Sequence, residues 1–133
     1  MATIDDVKQF LDECGYYFLA TEMDGQPYVR PFGAHMVYEG KLYFQTGKVK
    51  EVAAQLAANS KVEICASKPA EWLRLRGCLV EDPRIEVQEE MLDLHPQLRS
   101  MYRPGDGNTC VFFLDDATAG FFSFTEAPRI ESF

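Results

Sequence analysis

The sequence predicts a mainly β, α+β fold: an antiparallel barrel flanked by short helices. Three observations predict it. Strand-like segments follow one another through short turns, helical periods occur only at the ends or between strands, and no linker or repeat divides the 133 residues. A five-stranded open sheet is the alternative for the same pattern. We predict one domain over residues 1–133, long enough to bury about two thirds of its unfolded surface.

The first half predicts a helix, a three-strand meander and a second helix. Apolar residues at helical spacing mark the first helix, and Asp24-Gly25 is typical of a tight hairpin after the first strand. "YEGK" predicts the next turn. The predicted elements are a helix over 3–13, strands over 16–22, 27–38 and 41–46, and a helix over 49–58.

The second half predicts more strands around a helical segment. Alternation of apolar and polar residues is clearest between Glu71 and Asp82, and Pro96 breaks the helical pattern that follows. The predicted elements are strands over 61–67 and 70–82, one or two helices within 84–102, a loop over 103–108 and one or two strands within 109–126.

Charge and composition exclude several function classes. A net charge of −8 and a pI near 4.7 argue against a general nucleic-acid or anionic-membrane binder, but allow one small anion in a local basic pocket. The N-terminus is acidic and no apolar run reaches the length of a membrane span, so we predict a soluble, cytoplasmic protein. The four cysteines form no C-x-x-C pair and only two histidines are present, which predicts reduced, buried thiols and no metal site.

A basic turn opens the second predicted helix. Lys48 and Lys50 lie where the helix dipole disfavours positive charge by about 0.3–1 kcal/mol each. A bound anion would remove this conflict, because Thr46 offers a hydroxyl and Gly47 allows close backbone approach. The alternative is an ordinary solvated turn, since the spacing of a P-loop is absent.

The predicted strand over 27–38 carries two isolated polar groups. Arg30 shares one face with apolar neighbours, and His35 shares the other. An unpaired arginine there would be costly, so it needs either a phosphate, an open edge or an internal carboxylate. For His35 the alternatives are ligand contact and a histidine satisfied within the fold.

The predicted strand over 70–82 has two unlike faces. Leu73 and Leu75 predict a core face, whereas Trp72, Arg74 and Arg76 share the opposite face. Aromatic and arginine side chains together are typical of an interface centre or a stacked ligand. A plain solvated face is the alternative.

No motif assigns a catalytic residue. The sequence lacks a nucleophile elbow, a zinc-protease helix motif and a dinucleotide-binding glycine motif. Catalytic residues therefore stay unknown, and in an enzyme the chemistry would belong to a cofactor.

Two stretches together resemble a known family. "YVRPFGAHMVYEGKLYFQTGKVKEVAAQLAANSKVEICA" followed by "EWLRLRGCLV" resembles the pyridoxamine 5′-phosphate oxidase-like, FMN-binding split-barrel family, and most closely its short bacterial, nitroimidazole-reductase-like members. The resemblance covers about residues 7–80 well and the last strand more loosely. It implies an antiparallel split β-barrel with FMN at the interface of a homodimer, a small-molecule substrate and NAD(P)H as a candidate electron donor.

The resemblance also implies a set of site residues. An arginine, a threonine and lysines hold the phosphate, a strand end lies beside the ribityl chain, and backbone runs along the flavin ring. An aromatic residue reaches across from the partner subunit. The implied FMN-binding residues are Arg30, Pro31, Phe32, Gly33, Gln45, Thr46, Lys48, Lys50 and Trp72. His35 and Phe122 are candidates for further ligand contacts. His35 replaces a phosphate-binding lysine of the oxidases, so its role stays open.

The function implied by the resemblance is an FMN-dependent oxidoreductase. The chain ends "EAPRIESF" and lacks the C-terminal segment with which the oxidases grip pyridoxal phosphate, so oxidation of pyridoxamine phosphate is not predicted. One alternative is a non-enzymatic flavin-binding, haem-binding or stress-related protein on the same fold, and another is a cofactor-free interaction protein. The sequence leaves open the substrate, the donor and the choice between FMN and the deazaflavin F420.

Overall fold

A computed structural model describes residues 3–133. Its elements, in chain order, are α1 Thr3–Cys14, β1 Tyr17–Met23, β2 Gln26–Phe32, β3 His35–Tyr38, β4 Lys41–Gly47, α2 Glu51–Ala58, β5 Lys61–Ser67, β6 Glu71–Asp82, α3 Ile85–Leu94, a 3₁₀ helix Pro96–Ser100, β7 Thr109–Ser123 and β8 Arg129–Ser132.

The strands form one antiparallel sheet in the order β2-β1-β5-β6-β7-β4-β3, with β8 paired to β7. The strands β2 and β3 lie at opposite ends of this order, so the sheet does not close. The predicted antiparallel split barrel with flanking helices is confirmed, and the five-stranded alternative is wrong.

Apart from element ends that shift by one residue, the structure differs from the predicted elements in three places. The predicted strand over 27–38 is broken at Gly33 and Ala34, because its first part pairs with β1 and its second part pairs with β4. The second helix begins at Glu51, two residues later than predicted. The C-terminal strand β8 was not predicted, since its four residues are mostly exposed and carry little apolar alternation.

The main core lies between the sheet and helices α1 and α2. The inward residues of β6, Leu73 and Leu75, are fully buried, so the predicted core face of this strand is confirmed. A second cluster fills the space between α3 and strands β3, β4 and β7; it consists of Met36, Tyr43, Val87, Met91 and Val111.

A buried carboxylate joins β4 to the end of β6. The Tyr43 hydroxyl donates to Asp82 Oδ2 at 2.7 Å, and the Arg84 backbone N–H and Nε each donate to Asp82 Oδ1 at 3.1 Å. Hydrogen bonds from Arg84 lower the pKa of Asp82 to about 2, and burial together with Asp82 raises the pKa of Tyr43 to about 12. The network therefore holds a charged carboxylate between two strands of the sheet.

The cysteine prediction is only partly correct. All four cysteines are free, but Cys14, Cys65 and Cys78 are half-buried and only Cys110 is buried. Within residues 3–133, no three His, Cys, Asp or Glu side chains are grouped as a metal site requires. None of the helices in this range has both the length and the apolar character needed to cross a membrane.

Candidate functional site

A cavity of about 410 Å³ opens beside the break between β2 and β3. This volume lies within the range of about 300–1,000 Å³ that is usual for small-molecule sites. Four parts of the chain line it: Gly15 between α1 and β1, the β2–β3 junction, the end of β4 with the start of α2, and the 3₁₀ helix with the two residues after it. The lining residues are Gly15, Arg30, Pro31, Phe32, Gly33, Ala34, Gln45, Thr46, Lys50, Val52, Gln97, Leu98, Met101 and Tyr102.

The cavity carries positive charge in an acidic chain. Arg30 and Lys50 line it, and no Asp or Glu is among its described lining residues. With a chain charge of −8, this local excess of cations is a departure from the rest of the surface. Such a site attracts an anionic group by its field and can also hydrogen-bond it.

The guanidinium of Arg30 is half-buried and held by neutral groups. Its Nη1 donates to Thr21 Oγ1 at 2.8 Å and to the Leu19 carbonyl at 3.3 Å, and its Nη2 donates to Gln55 Oε1. None of the ion pairs within residues 3–133 involves Arg30, so the alternative of an internal salt bridge is wrong for this part of the chain. Burial lowers the pKa of Arg30 from its usual value, yet an arginine stays charged in a protein.

Gln45 presents an unsatisfied amide at the same cavity. The residue is 6% exposed, and both its Oε1 and its Nε2 lack a hydrogen-bond partner among the described residues. A buried polar group without a partner costs about 1–3 kcal/mol. The two unpaired atoms of the Gln45 amide fit a ligand that offers them one hydrogen-bond acceptor and one hydrogen-bond donor.

The basic turn is held by a distant loop. The Asn108 carbonyl accepts the Lys48 N–H at 2.8 Å, and Asn108 Oδ1 accepts the Val49 N–H at 3.1 Å. A Cβ on Gly47 would lie 3.0 Å from both Asn108 Oδ1 and a ring carbon of Tyr102. A side chain at position 47 would therefore crowd this loop, whereas the sequence predicts that the glycine allows close approach of a ligand.

The structure separates the two lysines of the turn. Lys50 is the N-cap residue of α2, in extended conformation with no side-chain cap bond, and it lines the cavity with Thr46. The Nζ of Lys48 lies 3.6 Å from Glu81 Oε2, and its side chain borders another depression between α2 and β6. Only Lys50 shares the cavity with Arg30.

His35 lies outside the cavity and is satisfied within the fold. It is 6% exposed, with Nδ1 2.9 Å from the Tyr17 hydroxyl and Nε2 2.7 Å from Asp12 Oδ1. Its carbonyl accepts a bond from His95 Nε2 at 2.7 Å. Burial lowers the pKa of His35. Both ring nitrogens are thus within hydrogen-bond distance of groups in the fold, and these contacts fix the start of β3 next to the cavity wall.

Trp72 and Phe122 lie apart from the cavity, on the outer face of β6 and β7. Their rings stack with centroids 5.6 Å apart, and Phe124, which is 78% exposed, packs against Trp72 at 5.2 Å. Beside them, Arg74 and Arg76 donate to the carboxylate of Glu63. Within one chain this aromatic patch, defined by Trp72, Phe122 and Phe124, does not meet the Arg30 cavity.

Sequence reasoning missed one wall of the cavity. Gln97, Leu98, Met101 and Tyr102 close it from the 3₁₀ helix and the residues that follow. The break at Pro96 was the only local signal, and it indicates a turn without saying what the turn covers. Gln55 and Thr21, which hold Arg30, were also missed.

The chain belongs to the pyridoxamine 5′-phosphate oxidase family, whose sequence model it matches over residues 3–94. It is also similar to a NimC/NimA family protein from Clostridium acetobutylicum, with 38% identity, a TM-score of 0.92, and coverage of 97% of this chain and 91% of the other. The resemblance inferred from the sequence is confirmed. No protein with a curated description matches the chain.

Two more distant structures share the fold alone. An FMN-binding, pyridoxamine 5′-phosphate oxidase-related protein from Nostoc punctiforme has 17% identity and a TM-score of 0.64 over 100% of this chain and 98% of its own. A haem-binding protein from Mycobacterium smegmatis has 12% identity and a TM-score of 0.76 over 99% of this chain and 58% of its own. Relatives on this fold therefore include binders of both flavin and haem.

Proposed function

We propose that the chain binds FMN and acts as a homodimeric oxidoreductase that passes electrons from a reduced donor to a small-molecule acceptor. The observation that carries the proposal is the cavity itself, where the unsatisfied amide of Gln45 lies with Lys50 and with Arg30, which has no ion-pair partner among the described residues. A ligand with an anionic end and a polar, planar body fits this combination. The family and its FMN-binding relative support flavin as that ligand.

The residues of the cavity fit the parts of FMN. Arg30, Lys50 and the Thr46 hydroxyl would hold the phosphate by charge and hydrogen bonds. The Gln45 amide can donate to and accept from a polar edge, which would satisfy both of its free atoms. Bound FMN would supply hydride and electron chemistry at this site.

The remaining wall would orient the ligand and exclude water. Pro31, Phe32 and Gly33 line one part of the cavity, and Leu98 and Met101 add apolar lining from the 3₁₀ helix and the residue after it. Apolar walls around a few placed polar groups are usual for cofactor sites. The chain's contribution would thus be anchoring, orientation and desolvation.

The two lysines provide a matched test of the phosphate site. We expect Lys50→Ala to weaken FMN binding about 3–10-fold, because it removes a partly solvated charge from the cavity, and Lys48→Ala to leave it near wild type. Quenching of flavin fluorescence during titration measures both. Riboflavin, which lacks the phosphate, should bind all three proteins equally.

Wild-type protein loaded with FMN also serves to test whether the chain turns over a substrate. Wild-type protein loaded with FMN should oxidise NADH or NADPH in the presence of a small acceptor, and a flavin store would not. A wild-type chain that binds no FMN, or a Lys48→Ala variant as impaired as Lys50→Ala, would count against the proposed site.

The aromatic patch is the surface we assign to the homodimer. Trp72 and the exposed Phe124 are large rings next to arginines, as is usual at the centre of an interface. We expect light scattering to give a mass near twice the 15.1 kDa of one chain, and Trp72→Ala to shift it toward the monomer. The exposed aromatic Tyr16→Ala is the control, and a wild-type monomer loaded with FMN would contradict the assignment.

A further inference from the structure

We propose that Gln55 is a positioning residue that aims Arg30 into the cavity without cancelling its charge. The proposal deepens the proposed function, on which it rests, because it says how the chain keeps a half-buried arginine available for the phosphate of a bound ligand. Gln55 does not line the cavity and would act only through Arg30.

The geometry places Gln55 at the centre of a small buried network. The residue is 2% exposed, and its Oε1 accepts bonds from Arg30 Nη2 and from the Thr21 hydroxyl, the latter at 2.6 Å. Thr21 is 3% exposed and also accepts from Arg30 Nη1. Because a guanidinium only donates, the amide must present its oxygen here, and the side chain is fixed in one orientation.

The neutrality of these partners is unusual within this chain. Five other arginines are paired with carboxylates: Arg74 and Arg76 with Glu63, Arg84 with Asp82 and Glu39, Arg99 with Asp93, and Arg129 with Asp6 and Glu131. Arg30 has an amide and a hydroxyl where the others have an acid. A glutamate at position 55 would occupy the same volume and offer a stronger bond to Arg30. It would also neutralise the guanidinium before any ligand arrived.

Two substitutions separate positioning from structural support. Gln55→Glu keeps the acceptor and adds a negative charge, whereas Gln55→Met keeps the size but removes the acceptor. We expect FMN affinity to fall about tenfold or more in Gln55→Glu and less in Gln55→Met, since only the glutamate cancels the charge of Arg30. Thermal stability should follow the opposite order, with Gln55→Glu at or above wild type and Gln55→Met below it. If Gln55 only supported the structure, its two variants would rank in the same order in FMN affinity and in thermal stability.

Binding of riboflavin and of inorganic phosphate shows whether the loss of FMN affinity in Gln55→Glu arises at the phosphate. Riboflavin should bind Gln55→Glu as it binds wild type, and phosphate should raise the melting temperature of wild type but not of Gln55→Glu. Gln9→Glu makes the same change of charge on an exposed face of α1 and should bind FMN normally. Equal FMN affinity of wild type and Gln55→Glu, or an equal loss of riboflavin binding, would overturn this inference alone. A wild-type chain that binds neither FMN nor phosphate would overturn the proposed function with it.

Discussion

Arg30→Ala should lower the affinity for FMN about a hundredfold. A hydrogen bond to a charged group contributes about 1.5–3 kcal/mol, and Arg30 is the cation of the cavity that is held in place before a ligand binds. Lys50, by contrast, is exposed, and its side chain makes no cap hydrogen bond to the described residues of α2. Arg30→Lys keeps the charge but loses the planar fork, so we expect an intermediate loss of about tenfold.

The loss of affinity in the Arg30 variants should occur only with a ligand that carries the phosphate. Titration with FMN and riboflavin in parallel measures it, and riboflavin should bind wild type and both variants with similar affinity. Arg103→Ala, an arginine that does not line the cavity, is the matched control and should leave FMN binding unchanged. Unaltered FMN affinity in Arg30→Ala would exclude the cavity as the phosphate site.

The strand faces could be predicted because alternation is a local property. On β6 every second residue points inward, and the burial of Leu73 and Leu75 repeats the pattern read from the sequence. The same rule separated Arg30 from His35 on the preceding strands. It could not find the break at Gly33, because β2 and β3 diverge to pair with β1 and β4 at the two ends of the sheet.

The candidate site was predictable in part from the resemblance to the family. Arg30, Gln45, Thr46 and Lys50 were implied as neighbours, and the structure brings all four to one cavity. The positions of the lysines in the sequence could not show that Lys50 lines the cavity and Lys48 does not, because both precede the helix, which begins at Glu51. Their separation depends on tertiary partners.

The partners that the sequence did not reveal lie far along the chain. Asn108 fixes the basic turn from about 60 positions away, and Asp12 satisfies His35 from α1. Local patterns indicate that a polar group needs a partner, but not which one. The Gln55 network is of this kind, since nothing near Arg30 in the sequence points to α2.

The second large effect that we expect concerns stability and arises from Asp82. Asp82 is 7% exposed, and its carboxylate accepts bonds from Tyr43 and Arg84. We expect Asp82→Asn to lower the free energy of unfolding at pH 7 by about 2 kcal/mol, because the bonds from Arg84 lose their charge assistance. Asp93→Asn, the same change in an exposed ion pair, should cost little.

The pH dependence identifies the carboxylate responsible. The pKa of Asp82 is about 2 in the folded chain, against an ordinary value of 3.8, so its contribution is complete above about pH 4 and is lost as the pH falls toward 2. The difference in stability between wild type and Asp82→Asn should therefore shrink over that interval. Other carboxylates titrate in both proteins, and their effects cancel in the difference. Urea unfolding of both proteins at several pH values measures this difference in stability. A difference that stays constant from pH 7 to pH 2 would show that the charge of Asp82 does not stabilise the junction of β4 and β6.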